Sequence, residues 1–182
     1  MNAPASRHRR IVFTGPDDST ATCAIATISD ARVTRDSCDV ATVDTALRLQ
    51  LDHGVLHLQQ AGEIHLYATP PDTPVDTVTE FVQTSGMGLI VLLDNKRPYP
   101  LRDMHFYLHS FQAYIAETSV AVGLCNLNTS DTYSIDDYHA ELISLGLHVP
   151  VFETDVTDKR DVVLLVEALL LSTEVRKTLV HV

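Results

Sequence analysis

The sequence has no long apolar run. No stretch approaches the roughly 20 apolar residues of a membrane-spanning helix, so no integral membrane segment is expected. The triplet Ile11-Val12-Phe13, behind Arg7, His8, Arg9 and Arg10, is too short for the apolar core of a secretory leader. A cytoplasmic location is the expectation. Cysteine is scarce. Cys23, Cys38 and Cys125 are an odd, scattered set with no C-x-x-C pair, which argues against a disulfide framework and against a zinc site. They read as reduced, buried thiols. Positive charge is also short: 13 Lys and Arg face 24 Asp and Glu, for a formal net charge of −11 and a pI near 5.1. A field of that sign repels nucleic acid and anionic lipid, so neither is an expected partner. The basic cluster Arg7–Arg10 is the local exception and reads as a solvated arm.

What is present is enough for one domain. The chain has 182 residues, 45% of them hydrophobic, which suits a single folded core. The expected organisation is an arm over 1–9, a domain over 10–172, and a tail or helix extension over 173–182. Apolar runs alternate with helical patterns. Arg10–Thr14 reads as a buried strand, followed by a helix over Thr20–Ser29 with Ser19 as its N-cap. Arg32–Thr45 is polar and reads as a surface loop. Leu47–Leu51 alternates with period two, Asp52-His53-Gly54 is a turn signal, and Leu47–Tyr67 reads as an antiparallel hairpin. Further strands are expected at Gly88–Asp94, Val120–Leu124 and Val149–Phe152. Helices are expected at Val75–Thr84, Leu101–Ala116, Ser134–Leu145 and Arg160–Leu171. This alternation implies a mostly parallel α/β sheet with one antiparallel edge and helices on both faces.

In open α/β sheets ligands bind outside the carboxyl ends of the strands, so the first strand-to-helix turn is the place to look. It reads Gly15-Pro16-Asp17-Asp18-Ser19-Thr20-Ala21-Thr22. The phosphate-loop pattern G-x-x-x-x-G-K-[ST] would put glycines at 15 and 20, lysine at 21 and a hydroxyl at 22. Gly15 and Thr22 match; Thr20 and Ala21 do not. Ala21 lacks the charge and reach to neutralise terminal phosphates. Thr20 places a branched side chain where backbone must come close to the phosphates. Asp17 and Asp18 add negative charge to a loop meant for an anion. Each such repulsion at about 4 Å costs roughly 1 to 4 kcal/mol. About 1.4 kcal/mol is a tenfold loss of affinity, so these terms together remove most nucleotide binding.

Over nearly its full length the chain resembles the bacterial Ras-like small GTPases of the MglA-related and conservon-associated group. The group's first loop commonly reads G-P-x-G-x-G-K-T-T, and Gly15-Pro16 keeps its start. Leu49-Gln50-Leu51-Asp52-His53-Gly54 resembles the segment V-x-M-D-[FY]-G. Leu66-Tyr67-Ala68-Thr69-Pro70-Pro71-Asp72 resembles L-Y-G-T-P-G-Q, with Pro71 replacing the glycine that meets the γ-phosphate and Asp72 replacing the glutamine that orients water. Proline has no N–H to donate. The first-switch threonine has no firm counterpart; Thr42 and Thr45 are the nearest substitutes. Gly88 to Pro98 resembles the fourth strand and its D-x-R-x-P-like ending. After Val120–Leu124, Cys125-Asn126-Leu127-Asn128 stands where the group reads guanine, with Asn128 in place of the aspartate. An amide oxygen accepts one of the two guanine N–H bonds while its own N–H₂ opposes the other. Thr154-Asp155-Val156-Thr157 resembles the segment near the base.

The resemblance implies a three-layer P-loop NTPase-like fold and a vestigial nucleotide site made of Gly15, Asp17, Asp18, Thr20, Ala21, Thr22, Pro71, Asp72, Asn126, Asn128 and Asp155. It implies a pseudo-GTPase: no catalytic residue, no cofactor, and a protein partner of roadblock type, met by the switch-side segments Thr34–Thr45 and Pro70–Val75. The prolines at 70, 71 and 74 would hold that surface in one state. The rival expectation is a divergent GTPase that still binds GTP and magnesium.

Other constellations carry less. His105 and His109 stand one helical turn apart, but spacing fixes no third ligand, so solvated histidines on a surface helix are expected and no metal. No G-x-S-x-G elbow is present. Met104, Phe106, Tyr107, Leu108, Phe111 and Tyr114 form an apolar band wider than one buried face needs, leaving part of it for a partner.

Overall fold

A computed structural model of the chain describes residues 9–17, 19–41, 46–70, 73–85, 88–117, 119–127 and 133–180. Among these residues the strands are β1 (Arg9–Thr14), β2 (Thr34–Ala41), β3 (Ala46–Leu58), β4 (Gly62–Ala68), β5 (Gly88–Asp94), β6 (Val120–Cys125) and β7 (Val151–Glu153). The helices are α1 (Thr20–Ile28), α2 (Val75–Ser85), α3 (Pro100–Ser110), α4 (Gln112–Glu117), α5 (Ile135–Ser144) and α6 (Lys159–Val180). The strands form one sheet in the order β2-β3-β4-β1-β5-β6-β7. All pairs from β4 to β7 are parallel; β2–β3 and β3–β4 are antiparallel.

Strand alternation sorts the side chains into two cores. Ile11, Phe13, Ile90 and Leu92 point to one face and pack with Ala24, Ile25 and Ile28 of α1 and Val162, Leu165 and Leu169 of α6. Val12, Leu89, Val91 and Leu93 point to the other and pack with helices α2 to α5, through Val78, Met104, Ile115 and Tyr138 among others. The strands with both faces covered are the ones whose sequences are continuous apolar runs. Each fully buried Ile, Leu or Phe adds roughly 1.5–3 kcal/mol of transfer free energy. Among the described residues no helix is long and apolar enough to cross a membrane.

The expected α/β frame with an antiparallel edge is present. Four local expectations are corrected. First, most of the expected 32–45 loop is strand β2. Its charges belong to cross-strand pairs: Arg35 meets Asp52 at 3.0 Å and Asp39 meets Arg48 at 3.1 Å, while Cys38 packs inward. Thr42 and Thr45 lie outside the described residues. Second, Asp52-His53-Gly54 is not a turn; β3 runs through it and the hairpin turns at Gln59–Ala61. Gly54 is needed for close approach, since a Cβ there would stand 2.8 Å from Ser29 Oγ. Third, Ser19 precedes α1 but its side chain caps nothing. Its φ of 63° is left-handed, whereas a capping serine needs extended backbone to swing its hydroxyl over the first turn. Fourth, the expected 101–116 helix breaks at Phe111, where φ and ψ are −95° and 11°. Phe111 is buried, and so are Met104, Tyr107, Leu108 and Tyr114; Phe106 of the same band is 54% exposed. Arg9, assigned to the arm, is already in β1, and α6 carries the chain past 173 without a break.

Candidate functional site

The parallel strands all end on one side of the sheet, and the loops leaving β1, β5, β6 and β7 gather there. Thr14 closes β1 and is buried, its Oγ1 accepting a hydrogen bond of 2.9 Å from Thr69 Oγ1. The next residue has no room for a side chain: a Cβ on Gly15 would stand 2.2 Å from the Leu92 carbonyl oxygen. The chain then turns through Pro16 to Asp17, which points at the loop after β5. Arg97 Nη1 donates to Asp17 Oδ1 at 2.9 Å, and Arg97 Nε donates to Asp103 Oδ2 at 2.6 Å. The second oxygen of Asp17 is buried and has no hydrogen-bond partner among the described residues. Burial pushes the Asp17 carboxyl above the usual carboxylate range. Arg97 opposes that rise, and the charges of Asp94 and Asp103 add to it.

The two positions that decide phosphate binding are already in use. Ala21 is buried in the core between α1 and α6. Thr22 Oγ1 donates to Asp52 Oδ2 at 2.6 Å, and the other oxygen of Asp52 takes Arg35 Nε at 3.0 Å. Thr20, partly buried, opens α1.

Opposite this loop, Asp94 Oδ1 accepts from Lys96 N–H at 2.9 Å and from Asn126 Nδ2 at 2.8 Å. Asn126 is itself left-handed, with φ 59°. Asn95 is fully buried beneath it. Its Nδ2 donates to the Tyr133 carbonyl at 2.8 Å, its Oδ1 accepts from Tyr138 at 2.7 Å, and its N–H reaches the Cys125 carbonyl at 3.0 Å. The Cys125 thiol is pushed up to about 12, first by burial and then by the charges of Asp94, Asp17 and Asp155. Such a thiol is inert as a nucleophile. Asp155 is exposed and turned toward its own loop, accepting Thr157 N–H at 2.8 Å and Thr157 Oγ1 at 2.7 Å. Those two bonds hold its carboxyl below the usual range.

Of the residues expected in a vestigial nucleotide site, Gly15, Asp17, Thr20, Ala21 and Thr22 thus form one turn, with Asn126 and Asp155 on loops leaving neighbouring strands. Asp18, Pro71, Asp72 and Asn128 lie outside the described residues. Four participants were missed in the sequence. Arg97 sits in the D-x-R-x-P-like stretch, Asp52 in what read as a turn, and Asp94 and Asp103 flank the same loop. For Asp94 and Arg97 the signal was position at the end of a buried strand; Asp52, within β3, and Asp103, in the first turn of α3, carried none. Chemically the cleft mouth is acidic, and its central guanidinium is shared between two carboxylates. A separate cleft of about 740 Å³, lined in part by Arg9, His57, Gln60 and Glu167, opens at the other end of the sheet. It shares no residue with these loops.

His105 and His109 are both exposed on α3, rings parallel within 7° and centroids 6.4 Å apart. Among the described residues no group of three or more His, Cys, Asp or Glu is placed to hold a metal ion. No protein-family model matches the chain, and no curated protein matches it.

Proposed function

We propose that the chain is a small-GTPase-like protein of the MglA-related kind, with a three-layer P-loop NTPase-like fold, that works without nucleotide. It acts as a protein-interaction module in bacterial signalling or in motility and polarity, with a roadblock-type homodimer as partner. The observation that carries this reading is the Asp17–Arg97–Asp103 chain at the first strand-to-helix turn. Where a phosphate loop offers backbone N–H groups and a lysine, this turn offers a carboxylate. The Arg97 guanidinium beside it is held by that carboxylate and by a second one. A triphosphate would have to displace Asp17 from Arg97 and leave its charge partly buried. That displacement is unfavourable, because Asp17 already sits in surroundings that disfavour its charge and Arg97 is what offsets them. Thr22, whose hydroxyl would otherwise face magnesium, is bonded to Asp52.

The interaction surface on this reading is the sheet edge formed by β2, with the start of α2 beside it. An edge strand presents an open row of backbone donors and acceptors. Arg35, Asp36, Ser37 and Asp39 on β2 are exposed. Isothermal titration with GTP, GDP and ATP in the presence of magnesium tests the nucleotide half; no heat of binding is expected. Recovery of a roadblock-type protein in a pull-down from the native cell tests the partner half.

Arg97 also favours a second reading, a divergent GTPase. A guanidinium about one-third exposed stands in the cleft where the lysine is missing, and would meet phosphate if Asp17 swung away. Micromolar GTP binding, with turnover once a partner is added, would favour that enzyme over the interaction module.

A further inference from the structure

Among the described residues β2 ends the sheet, and an open edge is a template for another strand. Proteins blunt such edges with prolines, bulges or very short strands. None of these is present in β2. The strand runs eight residues without a proline, and its register with β3 is unbroken from Thr34↔His53 to Ala41↔Ala46. What remains is charge, and its placement decides which strand the edge can accept.

Arg35, Ser37 and Asp39 share one face of the sheet, since alternate residues do. All three are exposed. Arg35 and Asp39 stand two positions either side of Ser37 and carry opposite charge. Their neighbours on β3 are Asp52 and Arg48. Arg35 reaches Asp52 through Nε, and Asp39 accepts from Arg48 at Oδ1. The two side chains are 62% and 72% exposed. A guanidinium has five donors and a carboxylate two accepting oxygens, so each can also serve a partner on its outer side.

We propose that β2 pairs antiparallel with β2 of a second copy of this chain, across a two-fold axis at Ser37, joining the two sheets into one. Such an axis runs perpendicular to the sheet and keeps each face on its own side. Ser37 then lies opposite Ser37 of the second copy, Arg35 opposite its Asp39, and Asp39 opposite its Arg35. Directly opposed residues have Cβ atoms about 4.5–5.5 Å apart, and opposite charges there stabilise the pairing. The face reads Arg48, Asp39, then Arg35 and Asp52 of the second copy, with the sign alternating across the junction, and the axis repeats this row once. Neighbouring registers lose the pattern. An axis at Asp36 sets that carboxylate against itself, which destabilises. An axis at Cys38 puts Arg35 opposite Ala41 and Asp39 opposite Ser37, with no ion pair. The net charge of −11 on each copy opposes approach at long range, so the dimer is weak and reversible. It goes beyond the interaction-module reading and does not depend on what the cleft binds; a partner seated on β2 would compete with it.

The test uses the full chain alone, without partner or nucleotide, so it reads self-association separately from the interaction-module reading. One strand junction is at the small end of specific interfaces, so sedimentation velocity is run up to about 0.3 mM, where a dimer is expected. Arg35→Glu creates two like-charge contacts across the junction, and Asp39→Lys does the same with the other sign. Each alone should weaken the dimer about tenfold or more. An equimolar mixture of the two variants should restore it, because the new acid faces the new base and the untouched Asp39 and Arg35 face each other. Any harm done within one copy, at Asp52 or Arg48, is the same in the mixture, so recovery on mixing reports the junction alone. Circular dichroism confirms that each variant folds. In a Cys38→Ser background, Ser37→Cys should give a disulfide-linked dimer under mild oxidation, whereas Thr34→Cys, opposite Val40 of the second copy, should not. A monomer at every concentration, a dimer indifferent to both charge changes, no recovery on mixing, or equal cross-linking at 34 and 37 overturns the proposal.

Discussion

At the scale of single residues, the first turn is constrained by contact and by charge, and the two are separable. Gly15 is a contact constraint. Its missing Cβ is blocked by the backbone carbonyl of Leu92 at 2.2 Å, and backbone cannot rotate away as a side-chain tip can. Gly15→Ala should destabilise the protein by about 1–3 kcal/mol, the usual cost of overpacking, measured by denaturant unfolding. Loss of less than a few tenths would mean that β5 shifts freely. Asp17 is a charge constraint. Burial raises its carboxyl above the ordinary value of 3.8. A group raised in the folded state contributes most below its unfolded value, and that contribution disappears as pH rises through the folded value. At neutral pH the ionised carboxyl therefore costs stability. Asp17→Asn keeps an acceptor for Arg97 and removes the charge. It should melt at or above the parent temperature at pH 7, with the advantage shrinking as pH falls toward 4. A melt several degrees lower at pH 7 would show that the Arg97 pair outweighs burial.

At the scale of elements, the loop after β5 is fixed from below by α5. The Tyr138 hydroxyl, buried on α5, donates to Asn95 Oδ1 at 2.7 Å. Tyr138→Phe removes that bond and keeps the ring, so a loss of about 0.5–1.5 kcal/mol is expected in thermal or urea melts. An unchanged stability would mean that the loop is held without the Tyr138 hydroxyl. The same elements show what the sequence makes legible. β1, β5 and β6 stand out because both faces are covered, so their buried stretches are continuous apolar runs. β2 does not, because an edge strand faces solvent and spends its charges on neighbours. Arg35 and Asp39 look like loop residues until Asp52 and Arg48 are placed opposite them. Gly54 mimics a turn signal, since glycine serves close approach and reversal alike, and only the position of Ser29 distinguishes them. The losses at Ala21 and Thr20 were readable one residue at a time. The Asp17–Arg97 bond was not, because its partners are 80 positions apart and no periodicity links them.

At the scale of the whole molecule, two explanations for an absence of nucleotide binding have to be distinguished. One is the net charge of −11, which repels any polyphosphate. The other is the local chemistry of the first turn. Salt separates them: the Debye length falls from about 8 Å at 0.15 M to about 3 Å at 1 M, so a global field fades while partly buried pairs are screened far less. Thermal melts with millimolar Mg·GTP make the comparison quantitative. A site of micromolar affinity under such excess would add about 4.1 kcal/mol. For a domain of this size each kcal/mol moves the melting temperature by roughly 2–4 °C, a rise of about 8–16 °C in total. No rise is expected for Mg·GTP, Mg·GDP or Mg·ATP at either salt concentration. A rise appearing only at high salt would assign the silence to net charge and leave the cleft competent. A rise at both would remove the pseudo-GTPase reading, because Asp17 would then have yielded Arg97 to phosphate.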